Sequence, residues 1–270
     1  MHRGARITVV ALAVILAGLV TLPAWAAPLP DSMAAVGDSI TRAYDVCCYY
    51  GDHPGQSWST GSAWYDGISS HYERIKQVHS AISGHAYNDA VTGAKMAAAP
   101  TQVAQAATQH AGYVTILLGA NDLCTASPGT MTDTGTFKTE FQDAMATLMG
   151  QDPQAYVFVS SIPNIYQLWA LLHTNPTAEL VWTLAGICQA MLSPFNTEQD
   201  RQTVLAREEQ FNEVLSEVCT QYTMCRFDGL AVFNYRFSAG QVSTLDYFHP
   251  SISGQAALAS ITWARSWWAT

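Results

Sequence analysis

The stretch Met33-Ala34-Ala35-Val36-Gly37-Asp38-Ser39 joins a short apolar run to a glycine and two polar side chains. An apolar run of this length, ended by turn residues, is typical of a strand buried on both faces of a sheet. Two longer runs of the same kind follow, over 113–118 and 155–162, and they stop at Gly119 and Pro163. These runs predict the central strands of a buried parallel sheet.

The segments between the apolar runs have helical patterns. A further short strand is predicted over 86–91, and helices are predicted over 62–72, 97–110, 136–149, 203–222 and 254–267. Strands that alternate with helices indicate an α/β fold with helices on both faces of a parallel sheet. Such sheets bind ligands beyond the carboxyl ends of their strands, so the loops after the strands should share one edge.

The amino-terminal segment has the pattern of a secretory signal peptide. Arg3 and Arg6 precede an apolar run over 7–22, and Ala24-Trp25-Ala26 forms a cleavage site of the small-x-small type. We expect residues 1–26 to be removed and residues 27–270 to fold as one domain of a secreted protein. The alternative is an uncleaved anchor, but the apolar run is short for a spanning helix. After cleavage, no stable membrane insertion is expected.

Composition narrows the class of protein further. Hydrophobic residues make up 49% of the chain and charged residues 12%, which argues against disorder. Removing the two leader arginines takes the net charge from −9 to about −11, and no basic patch is present. Nucleic acid is therefore not an expected partner, and we expect a monomer.

Six cysteines in an exported chain indicate disulfides, although six allow 15 connectivities. Cys219 and Cys225 are close enough in sequence to close a short loop. Cys124 follows a predicted sheet-edge loop and Cys188 lies in a later insertion, so a Cys124–Cys188 bridge would tie these parts together. Cys47 and Cys48 remain without an assignment. Metal binding is the rival interpretation, but cysteine and histidine spacings typical of zinc sites are missing, and no metal is expected.

Ser39 is a candidate nucleophile because it directly follows the first strand. A serine hydroxyl attacks a substrate only when a base removes its proton, and it could otherwise serve as a helix cap. Asp246 and His249, three residues apart near the carboxyl terminus, provide a base and a carboxylate that can orient it. The sequence therefore predicts a Ser39, Asp246 and His249 catalytic triad.

An acyl-transfer site also needs hydrogen-bond donors where negative charge develops. Asn121 follows a buried strand and offers a side-chain amide. Gly93 offers a backbone N–H without a side chain, although an isolated glycine is also common in ordinary turns. With the backbone N–H of Ser39, these groups form a predicted oxyanion hole.

Taken together, these residues resemble the SGNH (GDSL-like) serine hydrolases. That family carries four ordered blocks, which are similar here to Gly37-Asp38-Ser39-Ile40, Asn88-Asp89-Ala90-Val91-Thr92-Gly93-Ala94, Gly119-Ala120-Asn121-Asp122 and Asp246-x-x-His249. The segments 57–61, 119–124, 186–189 and 248–250 further resemble secreted actinobacterial members described as esterases or lipases. The resemblance implies a three-layer α/β/α sandwich with a mostly parallel, flavodoxin-like central sheet, and an acyl-enzyme mechanism without metal or cofactor.

The substrate stays open between two classes of ester, and a third class of function remains. The first hypothesis is a lipid or other small carboxylic ester, and the alternative is an acyl group, such as acetyl, on a cell-wall or plant polysaccharide. A non-catalytic binding protein on the same fold is the third. The apolar insertion over 164–196 either walls an acyl pocket or packs on the core as an ordinary helix pair.

Overall fold

The computed structural model describes residues 1–2 and 27–269 of the chain. Within them, five strands form one all-parallel sheet in the order β2-β1-β3-β4-β5. The strands are β1 (Met33–Gly37), β2 (Ala86–Asn88), β3 (Tyr113–Leu117), β4 (Tyr156–Val159) and β5 (Cys225–Phe227). Every residue of β1 and β3 is buried, as their continuous apolar sequences predict. The predicted α/β fold is thus confirmed, whereas the leader over 3–26 lies outside the described residues.

Helices cover both faces of this sheet in the described part of the chain. They are α1 (His71–Val78), α2 (Ala99–Thr108), α3 (Ala120–Leu123), α4 (Thr134–Gln151), α5 (Ile165–Leu172), α6 (Pro176–Ala185), α7 (Gln189–Leu192), α8 (Glu198–Cys219) and α9 (Ile252–Trp263). Side chains of α2, α4 and α8 pack on one face of the sheet with Val114 and Val157. On the other face, α1 and the aromatic residues from Trp263 onward pack around Tyr113 and Phe158. The result is a three-layer α/β/α arrangement.

The first predicted helix begins later than its sequence pattern indicated. Residues 62–70 are irregular, since Tyr65 and Gly67 have positive φ values of 57° and 82° that no helix accommodates. The helix starts only after Ser70, whose side chain accepts the Glu73 N–H at 3.0 Å in a reciprocal capping box. In a helix over 62–72, Trp64 would share one apolar face with Ile68 and Tyr72, but it is 85% exposed.

Two disulfides are present, Cys124–Cys188 and Cys219–Cys225. The first joins the end of α3 to the insertion that contains α6 and α7, and the second links the end of α8 to β5. Cys47 and Cys48 are both free thiols. No helix among residues 27–269 is long and apolar enough to cross a membrane.

Candidate active site

Ser39 lies at the carboxyl edge of the sheet, two residues after β1 ends. A Cβ atom on Gly37 would come within 2.4 Å of Thr41 Oγ1 and 2.7 Å of the Leu117 carbonyl, so only glycine lets the chain turn here. The buried Gln102 side chain accepts the Gly37 N–H at 2.8 Å and donates to the Gly37 carbonyl at 2.9 Å. The end of β1 is therefore fixed, and with it the position of Ser39.

The hydroxyl of Ser39 is hydrogen-bonded to His249. Ser39 Oγ and His249 Nε2 are 2.7 Å apart, and His249 Nδ1 lies 2.5 Å from Asp246 Oδ2. The other carboxylate oxygen of Asp246 accepts the backbone N–H groups of Phe248 and His249 at 2.9 and 3.0 Å. With the ring proton on Nδ1, where it is donated in a hydrogen bond to Asp246, Nε2 is free to accept the Ser39 proton.

Asp246 remains ionised although its side chain is mostly buried. Burial alone would raise its pKa, but the hydrogen bond and charge of His249, together with the two backbone N–H donors, bring the pKa below its ordinary value. The charged form can therefore orient the imidazole and stabilise it when it becomes protonated.

The turn that carries Asp246 and His249 is held from two sides. The indole N–H of Trp182, on α6, donates to the Tyr247 carbonyl at 3.0 Å. From the other side, Ser243 donates its N–H to the His249 carbonyl at 2.8 Å and its hydroxyl to the Asp45 carbonyl. Because Asp45 lies in the loop after Ser39, this contact ties the two halves of the site together.

Asn121 projects from α3, directly after the turn at Gly119. The φ of Gly119 is +126°, and a Cβ atom there would lie 2.6 Å from Ile162 Cδ1, so the turn requires glycine. The Asn121 amide donates to the Ala94 carbonyl at 3.0 Å and makes a long contact of 3.5 Å with Asp38 Oδ2. One amide hydrogen is thus anchored by Ala94, while the other is only weakly engaged.

Asp122 holds the loop that contains Gly93. Its carboxylate is fully buried, accepting the Met96 N–H and the Thr132 hydroxyl at 2.8 Å each. Burial raises the pKa of Asp122, and these hydrogen bonds partly offset the shift. Gly93 itself is exposed and has a φ of +82°. It directly precedes Ala94, whose carbonyl accepts the Asn121 amide.

Two backbone donors remain available beside Ser39. Among the described residues, the N–H groups of Ser39 and Gly93 have no hydrogen-bond acceptor. Asp38, between Gly37 and Ser39, is also buried, and burial raises its pKa from 3.8 to about 6 despite the Ile40 N–H that it accepts at 2.9 Å. The arrangement offers hydrogen-bond donors to a developing anion. The Asp38 carboxyl group, 3.5 Å from the Asn121 amide, changes its charge in the mildly acidic range.

An apolar cleft of about 60 Å³ opens beside Ser39. The buried residues Ile40 and Ala120, which precede or follow residues of the site, line it, and α5 contributes one wall through Ile165, Leu168 and Leu171. The remaining lining residues are Pro163, Asn164, Gln167, Phe237, Gln241, Val242, Phe248 and Pro250. Both interpretations of the insertion thus have a structural counterpart, because α5 walls the cleft while α6 buries Ala178 and Trp182 in the core.

Comparison with known proteins identifies relatives of this arrangement. The sequence profile of the family described as GDSL-like Lipase/Acylhydrolase matches residues 33–262. No curated protein matches the chain at a significant level of sequence similarity.

Among solved structures, an extracellular lipase from Streptomyces rimosus superposes with a TM-score of 0.52 at 14% identity, covering 87% of this chain and 99% of that one. A family two carbohydrate esterase from Clostridium thermocellum superposes with a TM-score of 0.50 at 16% identity, covering 87% of this chain and 62% of that one. At these identities, the likeness shows a common fold.

Proposed function

Because the chain belongs to the GDSL-like lipase/acylhydrolase family of ester-hydrolysing enzymes, we propose that it is a serine carboxylester hydrolase whose nucleophile is Ser39. The observation that carries the proposal is the hydrogen-bonded series from Ser39 Oγ through both ring nitrogens of His249 to Asp246. An unbroken series of this kind also argues against a non-catalytic binding protein.

In the proposed reaction, His249 Nε2 takes the Ser39 proton as the hydroxyl oxygen attacks the ester carbonyl. His249 then gives this proton to the departing alcohol, leaving an acyl group on Ser39. A water molecule, deprotonated by the same nitrogen, attacks the acyl-enzyme. Nε2 then returns this proton to the departing Ser39 oxygen as the acid is released. Asp246 stays ionised and accepts a hydrogen bond from Nδ1–H throughout, and so stabilises the imidazolium that forms in each step.

The negative charge on the carbonyl oxygen would be bound by Ser39 N–H, Gly93 N–H and the less engaged hydrogen of the Asn121 amide. Support comes from the two free backbone donors and from the Ala94 carbonyl, which fixes the amide before the substrate arrives. Donors that need no reorganisation as charge develops are the most effective ones.

The apolar lining of the cleft favours the apolar part of a lipid or other small carboxylic ester. Its lining runs from Ile40, beside the nucleophile, to Leu171, which is 36% exposed, and it includes no formally charged residue. Burying apolar surface there would stabilise binding by about 25 cal/mol per Å². A cleft of about 60 Å³ also has room for an acetyl group, so carbohydrate O-acyl ester hydrolysis is the second candidate.

We further propose that the enzyme is secreted after removal of residues 1–26, that residues 27–270 form its single domain, and that it acts as a monomer. Two disulfides in the described residues are compatible with an oxidising extracellular compartment.

The direct test combines covalent labelling with a substrate series. A serine-directed fluorophosphonate should label the wild-type protein and not Ser39→Ala, while Ser83→Ala, at an exposed serine before β2, should label normally. Labelling of Ser39→Ala would refute Ser39 as the nucleophile. p-Nitrophenyl esters from acetate to dodecanoate, assayed beside acetylated xylan, decide between the substrate classes, and a preference for xylan acetate would favour the second candidate.

A further inference from the structure

Helix α6 lies at the active-site edge of the sheet with two leucines exposed to solvent. Its inner face is fixed, because Trp182 is fully buried and its indole N–H donates to the carbonyl of Tyr247, between Asp246 and His249. Leu180 and Leu184 are four residues apart on the outer face, and they are 56% and 77% exposed. The helix that supports the catalytic turn thus presents an apolar stripe to the solvent.

Two more exposed apolar residues belong to the same segment. Leu171 is 36% exposed and is the exposed member of the cleft lining, and Phe195, shortly after α7, is 88% exposed. We refer to Leu171, Leu180, Leu184 and Phe195 as the apolar rim. Since Leu171 also lines the cleft, the rim begins where an apolar substrate would enter.

The charge of this segment indicates what kind of surface the rim can meet. Residues 165–197 include a single formally charged side chain, Glu179, although charged residues make up 12% of the chain. No lysine or arginine is present there to bind an anionic headgroup, and the net charge of −9 would repel an anionic surface. The complementary partner is therefore uncharged and apolar.

The rim is held in place by the structure around it. Asn175 caps the start of α6 by accepting the Thr177 N–H at 3.0 Å, and Gly186 ends the helix in the left-handed conformation with a φ of 65°. Two residues later, Cys188 is bonded to Cys124. The leucines are consequently exposed as part of an ordered element, and exposed apolar patches on ordered elements commonly mark interaction sites.

We propose that the apolar rim docks the enzyme on the surface of an aggregated, uncharged ester, such as a droplet of neutral glyceride. Docking would bring Leu171, the exposed member of the cleft lining, against the droplet, so that an apolar chain passes to Ser39 without crossing water. This inference rests on the proposed function, since it concerns delivery of substrate to that same site.

The experiment compares Leu184→Glu with Val78→Glu. Val78 is 71% exposed at the end of α1, and its neighbour His79 contacts Asp31, just before β1, at the opposite edge of the sheet. The two variants add the same charge at aliphatic positions of similar exposure. Flotation with trioctanoin droplets, using both variants in a Ser39→Ala background, measures docking without turnover.

We expect Leu184→Glu to lower the constant for binding to the droplets about tenfold or more, because a leucine that the droplet would bury is replaced by a charged side chain. Val78→Glu should bind like the parent protein. Leu184→Ser should show a smaller loss in the same direction. On p-nitrophenyl acetate in true solution, Leu184→Glu with Ser39 restored should match the wild type. Adding anionic phosphatidylglycerol to the droplets should weaken binding of the parent protein.

Equal flotation of Leu184→Glu and Val78→Glu, or no flotation of the parent protein, would overturn the proposal. So would a parent protein that light scattering finds to be a dimer and that Leu184→Glu converts to a monomer with unchanged flotation, since the rim would then cover a second copy. The docking proposal and the proposed function fail separately. Flotation that depends on Leu184 in a protein that cleaves no ester would refute only the proposed function. Ester cleavage by a protein whose Leu184→Glu and Val78→Glu variants float equally would refute only the docking proposal.

Discussion

Replacing Asn121 with alanine should separate stabilisation of the transition state from substrate binding. The Asn121 amide is held by the Ala94 carbonyl at 3.0 Å, and its second hydrogen has only a 3.5 Å contact with Asp38. Loss of one preorganised donor to an oxyanion typically lowers kcat by about 10²–10³, equivalent to about 2.7–4 kcal/mol. Because the charge exists only in the transition state, KM for a p-nitrophenyl ester should change little.

Asn121→Asp is the matched control, since it keeps the shape of the side chain while replacing the donor with a carboxylate that repels the oxyanion. Its kcat should fall at least as far as that of Asn121→Ala. Asp122→Ala should behave differently, because it removes the buried hydrogen bond from Met96 N–H that braces the Gly93 loop and a second bond from Thr132. It should lower the free energy of unfolding by about 3 kcal/mol.

Steady-state kinetics with circular dichroism on all three variants provides the measurement. A rise in KM with unchanged kcat for Asn121→Ala would refute the oxyanion role and make Asn121 a residue that positions the substrate.

Three further predictions concern the triad, the buried Glu208, which accepts the Ile165 N–H at 3.2 Å, and the Cys124–Cys188 bridge. Ser39→Ala should lose several orders of magnitude in turnover with an unchanged circular dichroism spectrum, and a Ser39→Ala protein that keeps a tenth of wild-type turnover would contradict the nucleophile. His249→Ala should be more damaging than Asp246→Asn, since an imidazole without its orienting carboxylate remains a weak base. Burial raises the pKa of Glu208 well above its ordinary value, so its contribution to stability is complete below about pH 4.5 and is lost as the pH rises through the folded-state pKa. Between about pH 5 and pH 8, the Tm of Glu208→Gln should therefore fall less than the Tm of the wild type. Parallel curves of Tm against pH for the two proteins would exclude this ionisation. Peptide mapping of the non-reduced protein should recover Cys124 linked to Cys188, and a free Cys124 thiol would contradict the bridge.

The fold and the chemical groups of the site could largely be predicted from the sequence, because both depend on local patterns. Buried parallel strands require continuous apolar runs, so β1 and β3 were predicted within one residue of their ends. Strand β5 was not predicted, since its three residues lie at the edge of the sheet and remain partly exposed, which removes the apolar signal. The helix predicted over 62–72 failed because apolar periodicity cannot detect the positive φ values of Tyr65 and Gly67.

The supports of the site could not be predicted, because they join residues that are distant in sequence. Gln102 bonds to Gly37 and Trp182 bonds to Tyr247, and neither partner is indicated by a motif. A weak signal did exist for Gln102, which is a polar residue at a buried position of an alanine-rich helix. The cleft depends on tertiary packing in the same way, since α5 and the residues around Phe237 and Phe248 meet only in the folded chain.

One connection links the oxyanion loop to the wall of the cleft. Glu208 and Asn212, one turn apart on α8, accept the N–H groups of Ile165 and Ile162, which lie between β4 and the first turn of α5. Ile162 in turn packs where a Cβ atom on Gly119 would lie, two residues before Asn121. The wall of the cleft and the proposed oxyanion donor Asn121 therefore share one mechanical support. A substitution such as Asn212→Ala, far from the reacting atoms, should alter both the chain-length profile and kcat, whereas a substitution at the cleft mouth, such as Leu171→Ala, should alter the profile alone.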